Sequence, residues 1–316
     1  MTQANHRSRN TPSEADPGYG DQLAQNLRLI NPDGSYNIEV VGLQNSSFYS
    51  VLVGMPWWQF VMTIFILFLL VNTGFACIYY LIGGSSFVGL HSEEGWSAFV
   101  ELIYFSIQTS TTVGYGHIAP DSHLASIVSS LDAFVGLLIF ALYSGLFFAR
   151  FSMPKVHLRF SKAAVVTDYL QGMRAFKFRI VNGGHNELMN ISASVIATWI
   201  DESRGQAERK YEVLSLERDS ITMFPMNWTI VHPITEDSPF ADLDDITAAR
   251  RKALEIMVHI SAYNDMYQNQ VHINHSYSCD EIHYDRDFAM MYAQEDDHIR
   301  LDLSRLDHLV DTSAGD

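Results

Sequence analysis

Two long apolar stretches dominate the pattern of hydrophobic and polar positions along this chain. The first, from Trp57 to Ile82, contains no charged side chain, and the second, from Leu124 to Phe151, contains only Asp132 and Arg150. A helix of about 20 apolar residues is long enough to cross the hydrocarbon core of a bilayer. The pattern therefore predicts two membrane-spanning helices, over residues 57–82 and 124–151.

A third apolar run, from Trp96 to Thr111, lies between the two predicted spans. It is too short to cross a bilayer, and a segment of this length at membrane depth is expected to be re-entrant and covered by protein. We predict a re-entrant pore helix over residues 96–111. The negative end of its dipole favours a cation just beyond its C-terminus.

Residues 112–116, which follow this helix directly, read Thr112, Val113, Gly114, Tyr115 and Gly116. The two glycines allow backbone angles that a residue with a Cβ resists, so successive carbonyl groups can turn toward one axis. Rings of carbonyl oxygens from four such strands replace the hydration shell of K⁺. We therefore predict a selectivity filter that coordinates K⁺ through Thr112, Val113, Gly114 and Tyr115. One chain has one such strand, so four chains are required.

The chain before the first span predicts two short elements. A turn at residues 32–34 is followed by alternating Tyr36, Ile38 and Val40, which indicates a short strand within residues 27–45. Apolar residues at 48, 51 and 52 indicate a short helix over residues 46–54. Residues 1–26 are polar, and we expect a mobile tail without a cleavable signal peptide.

Short alternating runs separated by turn residues recur after the second span. This pattern is typical of an antiparallel β-sandwich, which we predict over residues 156–295. We expect a short helix over residues 244–251 and an acidic C-terminal tail over residues 296–316. The predicted strands lie within Val156–Phe160, Ala175–Val181, Ile191–Ile200, Trp228–Val231, Leu254–Ile260 and Gln270–Ile273.

Composition and charge narrow the function classes. The formal net charge is −16, which makes nucleic acid an unsuitable partner. No Lys or Arg lies between Arg28 and Arg150, whereas basic residues precede the first span and follow the second. The positive-inside rule therefore places both termini in the cytoplasm of a multi-pass cell-membrane protein. Cys77 falls in an apolar run, so a disulfide framework is not expected.

No residue pattern indicates an enzyme, since neither a phosphate loop nor a nucleophile with a placed base is present. His272, His275 and His283 are close in sequence, but their spacing matches no zinc site. We expect these histidines to be surface or core residues and predict no cofactor other than the permeant K⁺.

Five motifs follow one another along the chain: Arg28–Asn37, Phe105–Thr109, Ala149–Pro154, Trp228–Ile234 with Ser238–Pro239, and Tyr277–Ile282. In this order they resemble motifs of the inward-rectifier potassium channels, specifically their bacterial branch. The resemblance implies a membrane-embedded α domain with two spans and a pore loop, joined to a cytoplasmic, all-β, immunoglobulin-like sandwich. It also implies a homotetramer and a slide helix at residues 46–54.

The inner helix is expected to hold the gate. Phe140, Ser144 and Phe148 recur every four residues and share one helix face. The resemblance assigns Phe148 to the bundle-crossing constriction and Gly136 to a helix bend. Packing of Phe148 against lipid and close helix packing at Gly136 remain as alternatives. The resemblance also implies that a loop with Ala262, Tyr263 and Met266 narrows the cytoplasmic pore.

Departures from the family pattern predict weak rectification. Strongly rectifying members have an acidic residue where this chain has Phe140. Their cytoplasmic-pore acids align with Asn190, Leu216, Ser220 and Ser261, none of which is acidic. Block by polyamines or Mg²⁺ needs such carboxylates.

Two further departures concern the filter and the lipid. The glutamate–arginine pair that braces the filter in animal members is replaced by Gln108 and Ile118, so a different bond must brace this loop. We expect Asn72, the one amide inside the first span, to make a helix–helix hydrogen bond.

Arg150 and Lys155, just inside the membrane, are candidate ligands for anionic lipid headgroups. Ordinary positive-inside bias explains the same two charges.

Three function classes fit parts of this pattern. A potassium channel explains the spans, the re-entrant run and the filter together. A subunit of an ion-coupled potassium uptake transporter is the alternative, but such proteins carry four degenerate filter-like loops in each chain. A membrane-anchored β-sandwich that serves as an interaction module leaves the re-entrant run unexplained.

Overall fold

The structure divides into two compact units. The helical unit comprises Val41–Met153, and the β unit comprises Met1–Val40 with Pro154–Asp316. Within these units, the computed structural model describes residues 16–20, 27–42, 47–153, 156–184, 186–202, 207–224, 226–241 and 246–311, except for the side chains of Gln171 and Arg251.

The helical unit contains a helix within one residue of each of the three predicted bounds, 57–82, 96–111 and 124–151. The helices of this unit are α1 Phe48–Gly54, α2 Trp57–Ile82, α3 Gly95–Ser110 and α4 His123–Phe151, and its two-residue strands are β1 Phe87–Val88 and β2 Ala119–Pro120. Helix α4 begins at His123, where the Ser122 hydroxyl caps it by accepting a hydrogen bond from the Ala125 amide.

A small aromatic core joins α2 to α3. Tyr79 of α2 packs edge-to-face against Phe87 and against Phe105 of α3, with ring centroids 5.4 and 5.3 Å apart. Helices α2 and α4 are long and apolar enough to cross a membrane. Most of their side chains are exposed in the single chain. This exposure suits helices that meet lipid or other copies rather than a water-filled surface.

The β unit is a sandwich of two five-stranded sheets. One sheet has the order β11-β10-β6-β7, with β8 also pairing with β6, and the other has the order β12-β4-β5-β3, with β9 also pairing with β5. The strands and helix α5 are β3 Leu158–Phe160, β4 Ala164–Asp168, β5 Arg174–Asn182, β6 Leu188–Asp201, β7 Glu208–Val213, β8 Ser220–Met223, β9 Asn227–Ile234, α5 Ile246–Arg251, β10 Glu255–Asn264, β11 Asn269–Ser278 and β12 Ile282–Tyr284.

Side-chain alternation explains why these strands form a sandwich. Along β10, Ile256, Val258 and Ile260 are buried, whereas His259 and Tyr263 are exposed. Because successive side chains on a strand point to opposite faces, one face of the sheet is apolar. That face packs against side chains of the other sheet to form the main core, which includes Phe176, Phe178 and Ile180.

The predicted N-terminal strand within residues 27–45 is wrong for the residues described. Ile30 and Tyr36 form only an isolated bridge. The amides of Leu29 and Ile30 donate to the Glu255 carboxylate at 2.8 and 3.1 Å, so they are not available to a neighbouring strand. Arg209 lies 3.7 Å from the same carboxylate, and both charged side chains are almost fully buried.

The predicted C-terminal tail is also wrong over residues 296–311. These residues return to the β unit, where Leu306 packs with Val181 and Met291 in a second small core. The apolar positions of this segment were too few to predict a strand. The added strands are β13 Arg286–Phe288 paired with β16 Leu309–Asp311, and β14 Tyr292–Gln294 paired with β15 Ile299–Leu301.

Most of the predicted N-terminal tail lies outside the described residues, at 1–15 and 21–26. The described part, residues 16–20, is a turn in which the Asp16 carboxylate accepts from the Tyr19 amide at 2.9 Å. The Tyr19 hydroxyl donates to the Leu29 carbonyl at 3.2 Å. Both cysteines, Cys77 and Cys279, are free thiols.

Candidate functional site

The five residues after α3 have backbone angles of alternating sign. The φ angle is +60° at Thr112, +51° at Gly114 and +80° at Gly116, whereas Val113 and Tyr115 have negative φ. Alternation of this kind aligns successive peptide groups, so that their carbonyl oxygens share one direction. A strand of aligned carbonyl oxygens is a ligand suited to a dehydrated monovalent cation.

Thr112 is the part of this geometry that sequence reasoning missed. A β-branched residue in the left-handed region is strained by about 1–3 kcal/mol and persists only where its surroundings fix it. Two hydrogen bonds to the end of α3 do so. The Thr112 amide donates to the Thr109 carbonyl, and the Gly114 amide donates to the Gln108 carbonyl, each at 3.1 Å.

All five residues are exposed in the single chain. Tyr115 is 77% exposed and Val113 is 53% exposed. Non-helical backbone at membrane depth is tolerated only where protein covers it or where it lines a water-filled path. In the single chain, the segment from Thr112 to Gly116 (the filter strand) has no such cover among the residues that the structure describes.

Asn72 of α2 braces the end of α3 from behind. Its side-chain oxygen accepts from the Ser110 hydroxyl at 2.8 Å and from the Ser106 hydroxyl at 3.1 Å. Its amide nitrogen donates to the Phe68 carbonyl at 2.8 Å. Asn72 is only 1% exposed. The predicted helix–helix hydrogen bond is thus confirmed, and it supplies a brace where Gln108 and Ile118 lack the charged pair.

Asp132 of α4 makes a second contact behind the filter strand. Its Oδ2 accepts from the Tyr79 hydroxyl of α2 at 2.8 Å, and both side chains are fully buried. Its Oδ1 has no hydrogen-bond partner among the residues that the structure describes. Sequence reasoning noted this residue only as a charge within a span. The rarity of such charges at membrane depth was the signal that could have identified it.

Gly136 is a point of close contact between α4 and the end of α3. A Cβ at this position would collide with the backbone and side chain of Ser110, the last residue of α3. Helix α4 continues through Gly136 without interruption. Close packing, one of the two interpretations of this glycine, is therefore seen in the structure, and the helix bend stays a prediction.

Three predicted cavity and gate residues lie further along α4. Phe140 and Phe148 are 71% and 74% exposed. Ser144 is also exposed, and its hydroxyl donates to the Phe140 carbonyl at 2.9 Å. A cavity of about 350 Å³ opens beside Phe140, and its lining includes Thr112 and Gly136. Thr112, the first residue of the filter strand, and Phe140, on the predicted inner-helix face, therefore line the same cavity.

Arg150 ties the end of α4 to the end of α1. Its guanidinium donates to the carbonyl of Val53 at 2.7 Å and to the carbonyl of Met55. These carbonyls lie at the C-terminal end of α1, where a helix favours positive charge. The same guanidinium lies over the rings of Trp57 and Phe60, 5.2 and 4.9 Å from their centroids.

These contacts change the interpretation of the basic pair expected to bind lipid. The Arg150 guanidinium already contacts the carbonyls at the end of α1 and the rings of Trp57 and Phe60. Lys155 lies outside the described residues.

The three gate residues predicted in the β unit lie at one hairpin. Ala262 and Tyr263 are at the end of β10, and Met266 is in the turn before β11. Ala262 is 1% exposed and belongs to the main core, whereas Met266 is 70% exposed. Tyr263 is also exposed, so the strand end and the turn each present a large side chain to whatever faces them.

The two C-terminal motifs fix the fold of the β unit. His232 donates from Nδ1 to the Ser215 carbonyl and accepts at Nε2 from the Ser238 hydroxyl, each at 2.7 Å. Burial lowers the pKa of His232, which keeps the ring neutral. Glu281 of the other motif lies 3.0 Å from Arg28 of the N-terminal motif. These motifs therefore hold distant segments together.

Comparisons with known proteins agree with this geometry. Residues 64–153 match a family described as "Ion channel", and residues 158–315 match one described as "Inward rectifier potassium channel C-terminal domain". The chain is similar to the inward rectifier potassium channel Kirbac3.1 of Paramagnetospirillum magnetotacticum. The two are 30% identical over 293 residues, which cover 91% of this chain and 97% of that relative.

The packing at Gly136 leads to a stability prediction. Gly136→Ala places a methyl group on Ser110, and overpacking of this kind costs about 1–3 kcal/mol. We expect a lower midpoint in thermal unfolding of the detergent-solubilised protein. Gly74→Ala on α2 is the matched control, because its Cβ meets nothing within 4 Å. Equal midpoints for the two variants would contradict the packing role.

Proposed function

Because the chain belongs to the inward rectifier potassium channel family, we propose that four copies assemble around one axis and conduct K⁺ passively through a shared filter. The alternating backbone at Thr112, Gly114 and Gly116 is the observation that carries this proposal. Thr112, Val113, Gly114 and Tyr115 contribute the carbonyl oxygens that replace water around the ion. The channel is not an enzyme, and K⁺ is the permeant ion rather than a cofactor.

Exposure of the filter strand supports fourfold assembly. Tyr115 is 77% exposed and Val113 is 53% exposed in one chain, although the neighbouring amides of Thr112 and Gly114 are hydrogen-bonded to the end of α3. Neighbouring copies around the axis would cover these side chains and complete each ring of oxygens. A subunit of an ion-coupled transporter is a poorer account, because this chain has one filter strand rather than four.

We place the gate of the closed channel at Phe148. Four exposed phenylalanines that converge at the end of α4 would exclude water and block ions. Phe140 and Ser144 line the cavity above them. A second constriction at the β10–β11 turn would use Tyr263 and Met266, with Ala262 holding the turn to the core.

We place both termini, and with them the β unit, in the cytoplasm. The absence of Lys and Arg between Arg28 and Arg150 supports this orientation. The filter then opens to the outside, and Glu93, Glu94 and Asp121 lie in the segments that flank it.

We propose that anionic lipid regulates the channel through Arg150 and Lys155. An anionic headgroup would have to take the Arg150 guanidinium from the carbonyls of Val53 and Met55. Lipid and α1 would therefore compete for one cation. This competition would connect the bilayer surface to the last turn of α4, which also carries Phe148.

Selective flux is the first test of this function. Liposomes with the wild-type protein should take up K⁺ but not Na⁺, and Ba²⁺ should block the uptake. Gly114→Ala should abolish K⁺ uptake, because its φ of +51° disfavours a residue with a Cβ. Equal Na⁺ uptake, or no uptake of either ion, would contradict a potassium channel.

The gate predicts a gain of function. Phe148→Ala should raise the basal K⁺ uptake of liposomes several-fold, because it removes the apolar side chain at the constriction. Leu142→Ala is the matched control, since Leu142 is 62% exposed on the same helix but lies about 120° or more away from the three residues of the proposed face. An unchanged basal rate in the Phe148 variant would exclude this residue as the gate.

Weak rectification predicts a small effect of spermine. Outward and inward currents should be comparable with spermine on the cytoplasmic side, because no carboxylate occupies the positions at which it binds in strong rectifiers. Phe140→Glu introduces a carboxylate and should produce block of outward current. Collapse of the wild-type current at positive voltage would contradict the prediction.

Lipid regulation predicts separable effects of the two basic residues. The double variant Arg150→Gln with Lys155→Gln should lose the response of K⁺ uptake to anionic lipid in the liposome. Lys155→Gln alone should weaken this response while leaving thermal stability unchanged, because it spares the Arg150 contacts with α1. A double variant with a normal lipid response would remove the proposed lipid site.

A further inference from the structure

A pair of histidines lies on the exposed face of the β10–β11 hairpin. Nε2 of His259 and Nδ1 of His272 are 3.3 Å apart. The two rings are nearly parallel, with an interplanar angle of 18° and centroids 5.4 Å apart. Sequence spacing grouped His272 with His275 and His283 instead, because the partners here are 13 residues apart and meet only across the hairpin.

The backbone fixes the separation of this pair. In the β10–β11 register, His259 is opposite Asn274, and His272 is opposite Ser261. The two histidines therefore occupy diagonal positions on one face of the sheet, where side chains remain within reach of each other. Both are exposed, so either ring can rotate slightly without disturbing the core.

Asn274 orients the first ring. Its side-chain oxygen lies 2.7 Å from Nδ1 of His259, and its side-chain nitrogen donates to the Tyr36 hydroxyl at 3.2 Å. An amide oxygen only accepts, so Nδ1 of His259 carries the proton, and its Nε2 accepts from Nδ1 of His272. When His272 takes its other neutral tautomer, with the proton on Nε2, both facing nitrogens have a lone pair for a metal ion. A hydrogen bond of this kind, from the far nitrogen of an imidazole, is what orients histidine ligands in metal sites.

We propose that His259 and His272 form a two-imidazole binding site for Zn²⁺. Zinc binds imidazole nitrogens at about 2.0–2.1 Å with tetrahedral geometry, which places two ligand nitrogens about 3.3–3.4 Å apart. The observed separation of 3.3 Å matches one edge of that tetrahedron. Imidazole suits Zn²⁺, whereas Mg²⁺ and K⁺ prefer oxygen ligands.

The remaining positions on the metal would be filled by water. Among the residues described, His, Cys, Asp and Glu form no group of three or more that could hold an ion. His259 also borders a cavity of about 500 Å³ that is lined by Ser194 and Tyr36, which leaves room for bound water. A site with two protein ligands and open positions binds metal reversibly, unlike a closed structural zinc site.

Calorimetric titration of the full-length, detergent-solubilised protein with ZnCl₂ tests this site. We expect saturable binding of one Zn²⁺ per chain and no comparable signal with MgCl₂. His259→Asn and His272→Asn should each abolish the saturable binding. Asn274→Ala should weaken it by about tenfold or more, since it removes the group that orients His259.

His283→Asn is the matched control, because His283 is also exposed in the β unit but stands apart from the pair. It should bind Zn²⁺ as the wild type does, and thermal unfolding should show that all variants remain folded. X-ray absorption at the zinc edge should show two imidazole nitrogens in the loaded wild type. No saturable binding by the wild type, or unchanged binding by the His272 variant, would overturn the proposal. Neither readout depends on K⁺ conduction, so failure here leaves the proposed channel function intact.

Discussion

The helical unit is built around one constraint, the need to satisfy polar backbone where no water is available. A helix satisfies its own amides and carbonyls, but the segment from Thr112 to Gly116 is not helical, so its backbone needs other partners. Contacts with the neighbouring helices therefore fix this segment in place. The end of α3 takes its amides, Asn72 fixes α3 to α2, and Gly136 lets α4 approach Ser110. Strain at Thr112 is sustained by these contacts together.

In the β unit, buried charged groups are likewise satisfied by hydrogen bonds. Glu255 and Arg209 are both buried, and a buried ion pair is tolerable only when hydrogen bonds satisfy its remaining atoms. The backbone of residues 27–30 provides them, since two amides donate to Glu255 and the Leu27 carbonyl accepts from Arg209. Arg28 adds its contact with Glu281. The N-terminal segment is therefore a component of this fold rather than an extension of it.

Sequence reasoning succeeded where one property of the chain determines the structure. Apolar length predicted the two long helices, and alternation predicted the strands that carry the sandwich core. It failed where a partner far along the chain decides the outcome. Tyr36, Ile38 and Val40 follow a strand-like pattern, but the amides of Leu29 and Ile30 just before them bind a carboxylate 226 and 225 residues away. The left-handed angle of Thr112 and the contact between His259 and His272 likewise depend on the folded surroundings.

The position of Glu255 also sets an order of events during synthesis. Residues 27–30 leave the ribosome early, yet the carboxylate that receives their amides is made 226 residues later. At about 5–20 residues per second, this interval is roughly 10–45 s. Both apolar spans are translated before Glu255. The N-terminal segment therefore lacks this partner until Glu255 has been made, and its backbone amides have no carboxylate to bind during that interval.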